Sequence, residues 1–155
     1  MAHRLALLQD LAHRDGTWER INGALRERLR VRLGREPQPS AAIVDSQSVN
    51  TTGVVGGEDR GYDGGKKIKG RKRHLLVDTE GFVLKAIVHS AKVMDYEGIK
   101  TLLRKAEEQF PRLSHLWLDA GYRGEDKGKD WVQKTLGWSA ELVERPRKPA
   151  PKEVL

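Results

Sequence analysis

The sequence predicts a mixed α/β domain whose sheet combines antiparallel and parallel pairing, preceded by an N-terminal helical segment. Three observations lead there. Apolar residues recur at helical spacing up to about residue 33, then give way after Ser40 to short apolar runs of strand type. Two of those runs flank a four-residue turn, Asp78-Thr79-Glu80-Gly81, as in a hairpin. The later runs alternate with helical stretches, as crossovers between parallel strands require.

The elements follow in order. Residues 3–13 read as a short helix with Leu5, Leu8, Leu11 and Ala12 on one face. A second helix runs from Thr17, its N-cap, to about Val31, and is expected to bury Trp18, Ile21, Leu25 and Leu29. Its polar face holds Arg20, Arg26, Arg28, Arg30 and Arg32, either as a solvated surface or as phosphate contacts. Gly34 stops this helix, and residues 35–39, with two prolines, form a linker. Residues 41–45 are an apolar run ending in a carboxylate, followed by polar residues 46–50. Residues 53–66 hold six glycines and read as an irregular loop. Strands over 74–77 and 82–88 form the hairpin. A helix follows from Asp95 as N-cap, with Ile99, Leu102, Leu103 and Ala106 as its apolar stripe. Residues 113–118 are a buried strand running into Asp119-Ala120-Gly121-Tyr122, then come a helix near 127–136 and a strand near 138–143. The proline-rich tail after 145 cannot hold regular structure.

Composition narrows the function. The 155 residues suit one domain. With no cysteine there is no disulfide framework and no thiolate zinc site, which fits a reducing cytoplasm. No apolar stretch reaches membrane length, and Asp10 interrupts the start too early for a signal-peptide core. The expectation is a cytoplasmic protein without a membrane partner. A formal net charge of +7 points to a polyanion, since each neutralised phosphate releases a counterion. Charge alone leaves DNA, RNA and an acidic protein open.

Two aspartates share one context. Asp45 and Asp119 each end an apolar run and each precede a polar or glycine-containing turn. In an open α/β sheet, ligands sit at the carboxyl ends of central strands. Carboxylates presented there could hold a hard cation such as Mg²⁺, or could merely cap turns. Asp63, Asp78, Glu80, Glu107 and Glu108 end no buried strand.

Next to the hairpin, residues 66–73 place six cations in eight positions: Lys66, Lys67, Lys69, Arg71, Lys72 and Arg73. Like charges at such density repel, so phosphate tracking is the better reading than a solvated run. The glycines beside them are no nucleotide loop, because Tyr62 stands where that pattern needs lysine. The five histidines lack ligand spacing, although His89 could approach the site.

Read as words, four stretches resemble one family. They are Arg14-Asp15-Gly16-Thr17-Trp18-Glu19-Arg20-Ile21-Asn22, Ala42-Ile43-Val44-Asp45-Ser46-Gln47-Ser48-Val49, Arg60-Gly61-Tyr62-Asp63-Gly64-Gly65-Lys66-Lys67 with the basic run after it, and Leu118-Asp119-Ala120-Gly121-Tyr122. Together they are similar to the DDE transposases of bacterial insertion sequences, family five. The resemblance implies a ribonuclease-H-like fold, with Asp45 and Asp119 as two of three catalytic and metal-binding acids. It further implies Mg²⁺ or Mn²⁺, DNA cleavage at element ends and strand transfer into target DNA. The partners it implies are terminal inverted repeats, target duplex and a second copy on DNA.

That family's third acid is a glutamate on a helix well beyond the second aspartate. Glu144-Arg145-Pro146 echoes its motif but runs into prolines. A fragment shortened at both ends is therefore expected. Residues 1–36 would be a partial DNA-binding segment, 40–146 a partial catalytic domain and 147–155 a tail. The alternative is a catalytically inactive remnant that binds DNA or regulates.

Overall fold

The computed structural model describes residues 16–51, 60–124 and 126–144. The helix expected over 3–13, part of the glycine-rich loop and the tail lie outside these residues.

Six strands form one sheet among the described residues. They are β1 (Ala41–Asn50), β2 (Gly61–Asp63), β3 (Ile68–Asp78), β4 (Val83–Ser90), β5 (His115–Asp119) and β6 (Ser139–Val143). The order is β2-β3-β1-β5-β6, with β4 also pairing β3. β1, β2 and β4 pair antiparallel to β3, whereas β1–β5 and β5–β6 are parallel. Helices flank this mixed sheet, which gives the ribonuclease-H-like layout.

β1 and β3 run further than their apolar cores suggest. Pairing extends without a break from Ala42↔Asp78 to Asn50↔Gly70, so the basic segment is itself strand. The polar extension is tolerated because alternate side chains go to opposite faces. Outward ones such as Gln47 and Arg73 meet water, and inward ones such as Ser48 and Lys72 are buried with polar partners. Gly61 lets β2 sit close, since a Cβ there would run into the Ser90 hydroxyl and the Lys92 backbone.

The inward face carries the core. Ala42, Val44, Leu76, Leu116 and Leu118 pack beneath Ile99, Leu102, Leu103 and Ala106 of a helix over Asp95–Glu107. That is the stripe the spacing predicts, and each such aliphatic side chain contributes roughly 1.5–3 kcal/mol on burial. Met94 is the N-cap and Asp95 the first helical residue, so the helix starts one position earlier than expected. Its carboxylate suits the positive end of the helix dipole. The helix expected near 127–136 is a short α-helix, Gly128–Trp131, running into a wider π turn, Val132–Leu136.

The first described helix, α1 (Thr17–Arg32), overturns its expectation. Gly16, at φ 71°, is the N-cap rather than Thr17. The stripe of Trp18, Ile21, Leu25 and Leu29 faces outward, with Leu25 55% exposed, while Arg26 and Arg30 are buried. Arg30 Nη1 reaches Asp78 at 2.5 Å, and Arg26 lies 5.1 Å from the centre of the Phe110 ring. Specific partners on β3 and beyond the second helix, here α2 (Asp95–Glu107), outweigh the helix's own amphipathic preference. No helix among the described residues is long and apolar enough to cross a membrane.

Candidate active site

Parity places the two aspartates, although only Asp119 ends its strand: β1 continues to Asn50, so Asp45 lies mid-strand and not at the strand end its apolar run suggests. Along β1, Ala42, Val44 and Ser48 turn inward and Ile43, Asp45, Gln47 and Val49 outward. Along β5, Leu116 and Leu118 turn inward, and Trp117 and Asp119 share the other face. β1 and β5 pair in the register Ile43↔Trp117, where their pairing ends. Continued two residues, the same register sets Asp45 abreast of Asp119. Both are exposed, and both line one hollow with Ile43, Trp117, Thr79 and Val143.

The two carboxylates are held differently. Asp119 Oδ1 accepts the Gly121 amide at 2.9 Å and so caps the 3₁₀ turn Ala120–Tyr122. The Asp45 side chain makes no hydrogen bond or ion pair to the described residues, which leaves its carboxylate oxygens open to a ligand. Two carboxylates supply the hard oxygen donors that Mg²⁺ and Mn²⁺ prefer. The donor chemistry therefore fits such an ion, although no cluster of three or more acidic or histidine side chains forms among the described residues.

The basic segment divides by the same parity. Lys69, Arg71 and Arg73 point to the face that bears Asp45; Arg71 pairs across from Val49 and Arg73 across from Gln47. Arg73 also hydrogen-bonds the Gln47 side chain. Lys67 is exposed at φ 54° in the turn before β3. Lys66 donates to the Ser46 carbonyl at 3.2 Å. Lys72 is 3% exposed, on the inward face, and contributes nothing to the cationic surface.

Behind the aspartates lies a polar cluster that density of charge could not reveal. Lys72 Nζ pairs with Asp95 at 2.7 Å and Asp63 at 3.0 Å, and donates to the Val93 carbonyl at 2.9 Å. Asp63 accepts from the Ser48 hydroxyl at 2.6 Å and from the Gly65 and Lys66 amides at 3.1 Å. Asp95 accepts from the Ser46 hydroxyl at 3.0 Å. Burial pushes the Asp63 carboxyl up, but Ser48, the Lys66 amide and Lys72 outweigh it and hold it well below the usual range. Asp95 is likewise lowered, because hydrogen bonding and charge from Lys72 exceed its own burial. Burial lowers the Lys72 amine, yet its two carboxylates hold it above the ordinary value.

Tyr122 reaches this cluster from the other aspartate's turn. Its buried hydroxyl lies beside Ser46 without a partner in hydrogen-bonding geometry. Burial, with Asp95, Asp45 and Asp119 nearby, pushes the phenol well above its ordinary pKa. His89, which the sequence left either near the site or packed, faces inward and packs on His74 with ring centres 4.8 Å apart. Gly98 of α2 lies over this pair, and a Cβ there would collide with both rings.

A family model described as a transposase DDE domain matches residues 36–145. No curated protein and no solved structure matches the chain.

Proposed function

Because the chain belongs to the transposase DDE domain family, we propose that Asp45 and Asp119 are two of its catalytic acids and together bind Mg²⁺ or Mn²⁺. The observation that carries this reading is the pair's shared hollow on one face of neighbouring parallel strands. A bound divalent ion would neutralise charge on a scissile phosphate and align the attacking oxygen. The chain's own residues do the rest. The Gly121 amide fixes one Asp119 oxygen and leaves the other for the ion. Lys69, Arg71 and Arg73, two residues apart along one strand face, repeat at roughly 6.6–6.8 Å and follow a phosphate backbone towards Asp45. Trp117 and Ile43 wall the hollow with apolar surface.

On this reading the protein is an insertion-sequence transposase of family five, and a homodimer on DNA binds terminal inverted repeats and target duplex. Residues 1–36 contribute to DNA binding and residues 40–146 to catalysis, with the third acid supplied from outside the described residues.

Two measurements test the assignment. Mn²⁺ titration of the full chain, followed by loss of the free-ion paramagnetic resonance signal, is expected to weaken by at least about tenfold in Asp45→Ala and in Asp119→Ala. Mn²⁺-dependent nicking of supercoiled plasmid is expected to disappear in both. Nicking that survives both changes removes the catalytic assignment, and DNA binding without nicking by the unaltered chain leaves a DNA-binding protein.

A further inference from the structure

The three stretches of sequence around Asp45, Asp63 and Asp119 meet at one buried point, and that meeting has a mechanical meaning. Lys72 forks to two carboxylates, and each carboxylate takes the hydroxyl of one β1 serine. One arm runs from Lys72 through Asp95 to Ser46, at 2.7 and 3.0 Å. The other runs from Lys72 through Asp63 to Ser48, at 3.0 and 2.6 Å. Ser46 and Ser48 are the first two inward residues after Asp45, so both arms grip the strand immediately beyond that aspartate. Lys66 closes the ring, with its amine 3.4 Å from the Ser46 hydroxyl and 3.5 Å from Asp95. The Tyr122 ring, three residues after Asp119, is buried against the same serine.

We propose that Lys72 is a positioning residue: its fork clamps the end of β1 so that Asp45 is held at the spacing from Asp119 that a divalent ion needs. The inference rests on the reading of those aspartates as metal ligands. The Gly-Tyr-Asp-Gly-Gly-Lys-Lys stretch then serves chiefly to bring Asp63 and Lys66 under β1, and Lys72 does not contact phosphate. A buried amine can do this because it is a compact charge with several donor hydrogens: it hydrogen-bonds the Val93 carbonyl and lies within ion-pairing distance of two carboxylates. Partners that orient metal ligands typically change metal affinity by about 10–100-fold when removed.

The test uses the full chain and two readouts, Mn²⁺ affinity and the salt dependence of duplex-DNA binding, with folding checked by circular dichroism. Lys72→Met is expected to weaken Mn²⁺ binding by about tenfold or more. Its plot of log affinity against log salt should keep the slope of the unaltered chain. Arg71→Gln, a surface cation on the same strand, should reduce that slope by about 0.9. Should Lys72→Met fail to fold, the double change Ser46→Ala and Ser48→Ala removes the far end of both arms and is expected to weaken Mn²⁺ binding in the same direction. A folded Lys72→Met chain, or a folded double-serine variant, with unaltered Mn²⁺ affinity overturns the clamp alone. A reduced salt slope in Lys72→Met overturns it too and returns Lys72 to the DNA surface. Failure of the unaltered chain to bind Mn²⁺ overturns the metal reading and the clamp with it.

Discussion

Two inward positions of β3 each bury a charge, and they use it differently. At one end Asp78 is fully buried and takes Arg30 from α1 at 2.5 Å on one oxygen. Its other oxygen accepts the Glu80 and Phe82 amides at 3.0 and 2.8 Å, closing the hairpin turn. In mid-strand Lys72 divides its amine between Asp63 and Asp95. Both sit at inward positions of one strand, and both have oppositely charged partners. Asp78 fastens a helix to the sheet at the hairpin turn, three residues beyond Leu75, the partner of Asp45. Lys72 fastens the strand that carries Asp45. The comparison teaches that a buried charge is informative through what its partners are attached to, since burial alone assigns it no function.

Three experiments probe this contrast. The largest effect is expected for Asp78→Ala, which strands Arg30 in the interior and frees two turn amides. Unfolding free energy from urea titration should fall by about 3–5 kcal/mol. A loss under about 1 kcal/mol would mean that the Asp78 end is no anchor.

Next comes His74, which lies between these two positions at the same parity and has no hydrogen-bond partner for either ring nitrogen. Burial, aided by the neighbouring His89, pushes its imidazole down to about 4. The unfolded chain therefore takes up a proton near pH 6.5 that the folded chain refuses. This stability is fully present above pH 6.5 and is lost as pH falls towards 4, at about 1.4 kcal/mol per unit. Between pH 6.5 and 5 the unfolding free energy should drop by about 2 kcal/mol. His74→Leu should remove that slope. An unchanged slope would assign the pH response elsewhere. Asp63 and Asp95, held low, lose their contribution only as pH falls below the ordinary carboxylate range.

The smallest effect is expected at Leu25, on the outward stripe of α1. Leu25→Ser should change stability by no more than about 0.5 kcal/mol. A loss of several times that figure would show that this face is covered.

The parts that sequence made legible are those governed by local periodicity. The core stripe of α2, the hairpin and Asp119 at the end of β5 follow from spacing and from an apolar run that stops at a carboxylate, whereas the strand of Asp45 continues to Asn50. The parts that escaped depend on partners far away in the chain. Nothing local tells that Arg30 will find Asp78, 48 residues on, and so reverse the face that α1 presents. The strand over residues 68–73 was hidden because its cations repel when read as a run. Once it is seen to be strand, alternation separates Lys72 from Lys69, Arg71 and Arg73 without further information. His89 follows the same rule: pairing opposite Lys72 puts it on the inward face, away from Asp45.

Gly98 gives the whole arrangement a fulcrum. Because it lacks a side chain, α2 rests its backbone directly on the His74–His89 stack, one turn from Asp95. A methyl group there would act as a wedge, tipping the helix like a lever and prying Asp95 away from Lys72 and Ser46. The tolerance of the cluster is thereby handed to a residue that touches neither Asp45 nor Asp119, and an alanine at 98 should loosen the Asp95 end while leaving the far end of the helix seated.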